Sequence, residues 1–204
     1  MFVTSISVLV AVAFGFGSSN SINASMKISE GHISDKMFAF IHGGEDARMN
    51  FTDAEEFCSN FTFHRNNSDS HLASIQNLKE VKLIQNWILN LERKSFWIGG
   101  EIICSMNALL EKMFLLHWIN NDKVEFTNFK VPNYNVKNMK VTEKRCVSVD
   151  LQDGRWGVHH CSEKKYFLCL TKNQLVTEKD VVVDNNFITS SSVPKTTPML
   201  AKLV

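Results

Sequence analysis

The side chains with the clearest capacity for chemistry are five cysteines and a group of basic residues. The cysteines are Cys58, Cys104, Cys146, Cys161 and Cys169. In a reducing compartment such thiols serve as metal ligands or nucleophiles, whereas in an oxidising one they form disulfides. An odd number leaves one thiol without a partner in the chain.

The sequence contains no recognisable catalytic pattern: there is no Gly-x-Ser-x-Gly, no His-Glu-x-x-His and no phosphate-binding loop. His159 and His160 are adjacent, and adjacent residues on a strand point to opposite faces, so we do not expect them to share a metal ion. Asp150 and Asp153 could form a carboxylate pair, but Asp153 followed by Gly154 is explained by a hairpin turn. We therefore predict that the chain is not an enzyme.

The N-terminus favours secretion. Residues 1–24 carry no charged side chain, and the apolar run from Ile6 to Phe16 is shorter than the roughly 20 residues that span a bilayer. Small residues follow it, which is typical of a signal peptide cleaved between residues 18 and 24. An uncleaved signal anchor is the alternative. No later segment has the pattern of a transmembrane helix, so we expect a secreted, extracellular protein without a membrane anchor.

In a secreted protein, Asn-x-Ser/Thr triplets can accept N-linked glycans. Three lie close together, at Asn50, Asn60 and Asn66, and are predicted to be exposed and glycosylated. A fourth, at Asn23, lies at the expected cleavage site and is not included in the prediction.

Composition indicates one ordinary domain with a tail. The chain has 204 residues and 44% hydrophobic content, which is enough for a packed core. The formal net charge of +1 gives no overall attraction to nucleic acid, which is not expected as a partner. We predict an N-terminal segment at 25–35, the domain at 36–171, and a flexible tail containing Ser, Thr and Pro at 172–204.

Short elements of both types are predicted inside the domain. Met37–Ile41 has the composition of a strand. Thr52 with Glu55, and Asn77 with Glu80, have the spacing of helix capping boxes, and apolar residues follow at helical intervals. Further short strands are predicted at Phe96–Gly100, Leu115–Ile119, Cys146–Leu151, Arg155–His159 and Tyr166–Leu170. This order favours an α+β fold over alternating βαβ units.

Four of the cysteines, together with motifs between them, resemble the C-type lectin-like domain family. The shared motifs are Phe96-Trp97-Ile98-Gly99-Gly100, Val131-Pro132-Asn133, and Trp156 shortly before a cysteine. The resemblance covers about residues 36–171. It implies a fold with two helices, short antiparallel β-sheets, a long loop region and disulfide staples. The extra N-terminal cysteine pair of longer members is absent, so the chain resembles the short form.

The resemblance also implies how the cysteines pair. By position, Cys58 corresponds to the partner of Cys169, and Cys146 to the partner of Cys161. Loop closures of these lengths are worth about 4.7 and 3 kcal/mol in chain-entropy treatments. Cys104 is left over, and it is either buried and inert or the site of a disulfide-linked homodimer.

Sugar-binding members of the family hold calcium with carboxylate and amide oxygens, and most of these are missing here. The family's leading glutamate corresponds to Val131, and its Asn-Asp pair corresponds to Gly157-Val158. Asn133 is retained, and Glu143 lies near a further ligand position. Because calcium takes about six to eight oxygen ligands, we predict no calcium site and no other cofactor.

Basic residues dominate the same loop, namely Lys130, Lys137, Lys140, Lys144 and Arg145. Together with Asn133 they are the predicted ligand-binding residues. Such a cluster repels a divalent cation and attracts anionic ligands, such as a sulfated or sialylated glycan or an acidic protein face. The alternative is a solvated loop whose charge serves solubility.

The predicted function is recognition of a carbohydrate or protein ligand by a secreted glycoprotein, without calcium, through residues 120–145. Two other hypotheses stay open. One is a structural or assembly component of the extracellular space with no ligand pocket. The other is a calcium-dependent lectin whose metal ligands lie in a different register.

Overall fold

A computed structural model describes residues 7–8, 26–34, 36–61, 70–131, 136 and 138–172. These residues form a short 3-10 turn, two α-helices and nine strands. The helices are α1 (Phe51–Asn60) and α2 (Leu78–Ile88). The strands are β1 (Ser7–Val8), β2 (Lys27–Ile33), β3 (Lys36–His42), β4 (Ser70–Leu72), β5 (Phe96–Met106), β6 (Lys112–Trp118), β7 (Lys144–Val149), β8 (Trp156–His159) and β9 (Tyr166–Lys172). The predicted α+β class with two helices is confirmed.

All nine described strands belong to one mixed sheet, not to several antiparallel ones. The strand order is β1-β2-β3-β9-β5-β7-β8, with β4 also paired to β9 and β6 also paired to β5. β9 is central: it runs antiparallel to β3 and β4, and parallel to β5 at Phe96 and Trp97. The sequence pattern did not reveal the parallel pair, because three other strands separate β5 from β9 along the chain.

The sheet extends into the segment that was predicted to lie outside the domain. β2 pairs with β3 over its whole length. Its buried positions include Ser29, whose Oγ lies 3.0 Å from His42 Nε2, and Gly31, where a Cβ would stand 3.1 Å from the Trp87 ring of α2. A small polar residue and a glycine at buried positions hide the usual alternation of a strand. Backbone hydrogen bonds hold this hairpin where longer family members have a cysteine pair.

The structure describes only a small part of the predicted signal peptide and tail. β1 lies inside the predicted signal peptide, and its two residues pair with Ile28 and Ser29 of β2. Cleavage of that segment stays a prediction. Apart from residue 172, the predicted tail lies outside the described residues.

Asn50, not the predicted Thr52, caps α1. The Asp53 N–H donates to Asn50 Oδ1 at 2.9 Å, and Thr52 lies inside the helix. The start moves because Phe51 is buried and its N–H donates to the Cys161 carbonyl at 2.9 Å, which fixes the chain at that point. The helix therefore begins two residues earlier than the capping pattern predicts.

The second predicted cap is confirmed. The Glu80 N–H donates to Asn77 Oδ1 at 2.9 Å, and Glu80 Oε2 accepts the Gln76 N–H at 2.8 Å. Glu80 Oε1 also lies 2.8 Å from Lys36 Nζ, with both side chains largely buried. This ion pair ties the start of α2 to the N-terminal hairpin. The apolar face of the helix enters the core through Val81, Ile84, Trp87 and Ile88.

Both implied disulfides are present. Cys58 of α1 is bonded to Cys169 of β9, with Cα atoms 5.4 Å apart, and Cys146 of β7 is bonded to Cys161, with Cα atoms 5.1 Å apart. The first bond fixes a helix to the centre of the sheet. Cys104 is fully buried on β5. A disulfide to a second molecule would require the sheet to open there, so the structure favours the buried alternative over a Cys104-linked dimer.

Candidate ligand-binding site

Strand β7 separates the predicted binding residues into two groups. Lys130 lies beside its C-terminal end, close to Asp150, whereas Lys144 and Arg145 begin the strand. A rise of about 3.3 Å per residue puts about 20 Å between Lys144 and Asp150, so the basic residues do not form one surface. We call the two regions the turn end (Lys130, Val131, Asp150, Asp153 and Gly154) and the hairpin end (Ile103, Met106, Leu109, Leu110, Val141 and Lys144).

At the turn end, two carboxylates neutralise Lys130. Its Nζ lies 2.6 Å from Asp150 Oδ2 and 3.4 Å from Asp153 Oδ2. The hydrogen bond to Asp150 raises the pKa of Lys130. Partial burial acts to raise the pKa of Asp150, but hydrogen bonds from Lys130 and the Gln152 N–H outweigh it and hold that pKa below its usual value. Lys130 is therefore engaged within the protein.

The predicted Asp153–Gly154 turn is confirmed, and it rests on α2. Gly154 has a φ of +69°, and Asp153 Oδ1 accepts the Arg155 N–H at 2.9 Å. A Cβ on Gly154 would meet Gln85 Oε1 of α2 at 2.9 Å. Gln85 in turn donates from Nε2 to the Leu151 carbonyl at 3.0 Å. These contacts make the turn a packed part of the domain.

Behind the turn, Trp156 is fully buried in an aromatic cluster. Its ring centroid lies 5.5 Å from that of Trp118, 5.7 Å from that of Phe126 and 5.3 Å from that of Phe129, each in an edge-to-face arrangement. Such pairs add about 0.5–1.5 kcal/mol each beyond the burial of area. Core packing thus fixes the start of the long loop against β8.

The positions that the resemblance assigns to calcium ligands lie beside Lys130 and on β8. Val131 is 73% exposed and Val158 is fully buried, and neither side chain has an oxygen. Gly157 has no side chain. Asn133 and Lys137 lie outside the described residues. Among the residues that are described, no three His, Cys, Asp or Glu side chains are grouped so that they could hold a metal ion.

Lys144 and Arg145, at the start of β7, also have acidic neighbours. Lys144 Nζ lies 2.7 Å from Glu101 Oε1, and Arg145 Nε donates to Glu143 Oε1 at 2.7 Å. The Lys140 N–H donates to Glu143 Oε2 at 2.7 Å, and this bond, together with Arg145, lowers the pKa of Glu143. Both carboxylate oxygens of Glu143 are therefore occupied by protein donors. Lys144 and Arg145 are therefore paired with acids, whereas the exposed side chain of Lys140 has no ion pair among the described residues.

The hairpin that joins β5 to β6 ends in two exposed leucines. Leu109 and Leu110 are each 78% exposed. Asn107 fixes the turn, since its Oδ1 accepts the N–H groups of Leu109 and Glu111 at 2.9 and 2.8 Å. Leu110 has a φ of +60°, which costs a non-glycine residue about 1–2 kcal/mol. The turn thus displays two apolar side chains to solvent on a fixed, strained backbone.

Exposed apolar residues continue from this tip along the hairpin. Ile103 and Met106 are exposed on β5, and Val141 is exposed in the segment beside it, where the Thr142 N–H donates to the Cys104 carbonyl at 2.8 Å. Large exposed apolar patches mark interaction sites, and Leu109 and Leu110 are the most exposed of these side chains. These residues are not among those that the sequence pattern predicted for ligand binding. The available signal was a pair of adjacent leucines in a turn-forming segment.

The predicted glycosylation sites differ in their surroundings. Asn50 is partly buried and its Nδ2 donates to Asp53 Oδ2 at 2.7 Å, whereas Asn60 is exposed at the end of α1. Asn66 lies outside the described residues. Glycosylation of all three stays a prediction.

The arrangement of two helices on a mixed, disulfide-stapled sheet defines a C-type lectin-like domain. Residues 47–171 match the Lectin C-type domain family, which is more than half of the chain. The protein therefore belongs to the C-type lectin domain family.

Comparisons with individual proteins agree with this assignment. The chain is 26% identical over 114 residues to the mouse secretory phospholipase A2 receptor, a match that covers 55% of this chain and 7% of the receptor. The structure is similar to human lithostathine, with a TM-score of 0.52 and 19% identity over 71% of this chain and 88% of that one. It is also similar to the carbohydrate-recognition domain of the human scavenger receptor C-type lectin, with a TM-score of 0.51 and 21% identity over 70% and 95% of the chains. At these identities the structural likeness concerns the fold alone.

The described part of the chain has no helix that is both long and apolar enough to cross a bilayer.

Proposed function

We propose that this protein is a secreted recognition protein that binds an extracellular protein ligand, without calcium and without catalysis, through the hairpin end. The observation that carries the proposal is the pair of leucines, each 78% exposed, on a turn locked by Asn107. Backbone strain at an exposed apolar tip lowers stability, and such strain persists where function uses it. The uncharged N-terminal run and the two disulfides support secretion.

The side chains at the positions of the family's calcium ligands support independence from calcium. Calcium needs several oxygen ligands, and Val131, Gly157 and Val158 supply none from their side chains. A calcium-bound sugar is therefore a poor fit.

An anionic glycan is a weaker candidate than a protein ligand. Lys130, Lys144 and Arg145 are each paired with a carboxylate, and β7 separates the first from the other two. A sulfated chain would have to displace those ion pairs before it gained its own. The mixed apolar and balanced polar surface of the hairpin end suits a protein face better.

Two measurements on the secreted protein test the proposal. Thermal unfolding with 5 mM calcium or with chelator should give the same Tm, because an ion that binds the native state must raise it. Binding to arrays of extracellular proteins and of glycans should yield protein ligands, with signals that chelator leaves unchanged. A Tm that rises by several degrees with calcium, or binding confined to glycans and lost with chelator, would refute the proposal.

A further inference from the structure

A groove lies along α1. It has a volume of about 400 Å³, within the range of about 300–1,000 Å³ typical of small-ligand sites. Its lining consists of Met49, Asp53, Glu56, Phe57, Asn60 and Phe61.

Two aromatic rings form the apolar side of the groove. The rings of Phe57 and Phe61 are nearly parallel, with centroids 6.0 Å apart and an angle of 17° between planes. Phe57 is held in place by an edge-to-face contact with Phe167 of β9 at 5.3 Å. The faces of aromatic rings carry partial negative charge, so they attract the weakly positive C–H groups of a ring lying over them.

Carboxylates form the polar side. Glu56 is exposed, and Asp53 is held by the Asn50 amide at 2.7 Å. Ionised carboxylates are strong acceptors for hydroxyl and amide donors. A ligand with an apolar C–H face and a rim of O–H and N–H donors would satisfy both sides, and a sugar ring with an N-acetyl group has that chemistry.

The attachment point for such a sugar belongs to the groove wall. Asn60 lines the groove, is exposed, and begins the triplet Asn60-Phe61-Thr62. Its Nδ2 donates one hydrogen to the Glu56 carbonyl at 2.9 Å, which leaves the second hydrogen available for substitution. The hydrogen bond and a bond to sugar can therefore exist together.

We propose that the groove seats the first sugars of an N-linked glycan carried by Asn60. In forming that glycan, Nδ2 loses one proton and bonds to C1 of the sugar, while the diphosphate carrier of a lipid-linked oligosaccharide leaves. Tethering at the groove wall gives the sugar an effective concentration in the millimolar range, so a weak site is filled without free ligand. The glycan then stabilises the native domain, because it contacts only the folded groove.

The test uses the full chain secreted from a eukaryotic host. Mass spectrometry of peptides first establishes whether Asn60 carries a glycan. Thr62→Ala removes the acceptor triplet and leaves every groove residue unchanged, and it should lower Tm by about 2–4 °C. Ser68→Ala, which removes the triplet of Asn66, is the matched control and should change Tm by less than about 1 °C.

Two variants of groove residues test whether the stabilisation by the Asn60 glycan depends on the groove. Phe61→Ser keeps an Asn-x-Thr triplet but removes one ring, and Glu56→Ala changes an exposed side chain and so preserves folding if the first variant fails. When Thr62→Ala is added to either groove variant, the fall in Tm should be less than half of the fall that Thr62→Ala causes in the parent protein. The reason is that the groove residue with which the glycan interacts is already missing.

Several results would overturn the proposal. These are an unmodified Asn60, a Thr62→Ala effect equal to that of Ser68→Ala, or an effect of undiminished size in both groove variants. A further contrary result is that parent and Thr62→Ala proteins still differ in Tm after both have been stripped of glycans, which would point to residues 62–69 as the occupant.

Discussion

The surroundings of the two ends of β7 differ in how far their side chains are engaged with the rest of the protein. At the turn end, Lys130 is paired with Asp150 and Asp153, and Gly154 packs against α2. At the hairpin end, Leu109 and Leu110 stand in solvent. The turn end pairs its charged groups and exposes one apolar side chain, Val131, while the hairpin end exposes two adjacent leucines.

This difference assigns different tasks to the two ends. Changes at the turn end are expected to affect folding, since its side chains contact the core and α2. Changes at the hairpin tip are expected to affect recognition, since its side chains contact little of the protein.

The largest expected effect is at the turn end. Trp156→Ala should lower the free energy of unfolding by about 3–5 kcal/mol, because a fully buried ring that touches three other aromatics is lost. Urea unfolding followed by fluorescence or circular dichroism measures the change. A loss under about 1 kcal/mol would contradict the view that this end is part of the core.

The next effect is on binding at the hairpin end. The double change Leu109→Ser and Leu110→Ser should weaken ligand binding by at least tenfold, as expected when exposed apolar contacts at an interface are removed. The free energy of unfolding should change by no more than about 0.5 kcal/mol. Surface plasmon resonance against the captured ligand measures the first quantity, with Lys130→Gln at the turn end as the control variant. Equal loss in both variants would erase the distinction between the ends.

A matched pair of backbone changes gives effects of about 1 kcal/mol in opposite directions. Both Leu110 and Gly154 have positive φ, at +60° and +69°. Leu110→Gly should raise the free energy of unfolding by up to about 1 kcal/mol, because relief of strain exceeds the entropy cost of glycine. Gly154→Ala should lower it by about 1–2 kcal/mol, because the strain is new and the Cβ meets Gln85. Changes of the same sign would mean that Leu110 is not strained.

The smallest expected effects concern the pH dependence of stability. The pH range in which stability is lost differs between the two ends. His159 pairs with Cys146, near the hairpin end. Burial, followed by the charge of Lys165, lowers the pKa of His159, and the opposing effect of Glu163 does not cancel this shift. The folded protein therefore binds fewer protons than the unfolded chain, so the stability present above about pH 6.5 is lost as pH falls below it. The pKa of Asp150 at the turn end is also lowered, and its contribution is lost only below about pH 3.9.

Single variants test the two pH ranges in which stability is expected to fall. His159→Gln should reduce the fall in urea midpoint between pH 7.5 and 5.5, and Asp150→Asn should leave that fall unchanged while reducing the further loss below pH 4. The Asp150 effect should be within about 1 kcal/mol, as for other exposed ion pairs. A parent protein whose midpoint is flat from pH 7.5 to 5.5 would contradict the prediction for His159.

The sequence predicted those parts of the fold that local patterns determine. The resemblance to the C-type lectin-like family implied both disulfides, and Asn77 with Glu80 located the start of α2. The sequence-based prediction failed where a contact between residues far apart in the chain sets the position of an element. Thr52 had the pattern of a cap, but the bond from Phe51 to Cys161 moved the start of α1 to Asn50.

The candidate site was less predictable from sequence for a related reason. Proximity along the chain suggested that Lys130 and Lys144 share a surface, and the direction of β7 separates them. The acids that pair with them, Asp150 and Glu101, lie 20 and 43 positions away. Charge counted along the loop therefore missed the balance that the folded sheet creates.

The central position of β9 has a consequence for biosynthesis. Cys58 and Cys169 are 111 residues apart, so at about 5–20 residues per second Cys58 is made about 6–22 s before its partner. Cys104 is made in that interval and has no partner in the final fold. During translation Cys104 is therefore the first other thiol available to Cys58, and a bond between the two would have to be exchanged before Cys58 pairs with Cys169. A folding enzyme that isomerises disulfides should consequently speed the maturation of this small domain.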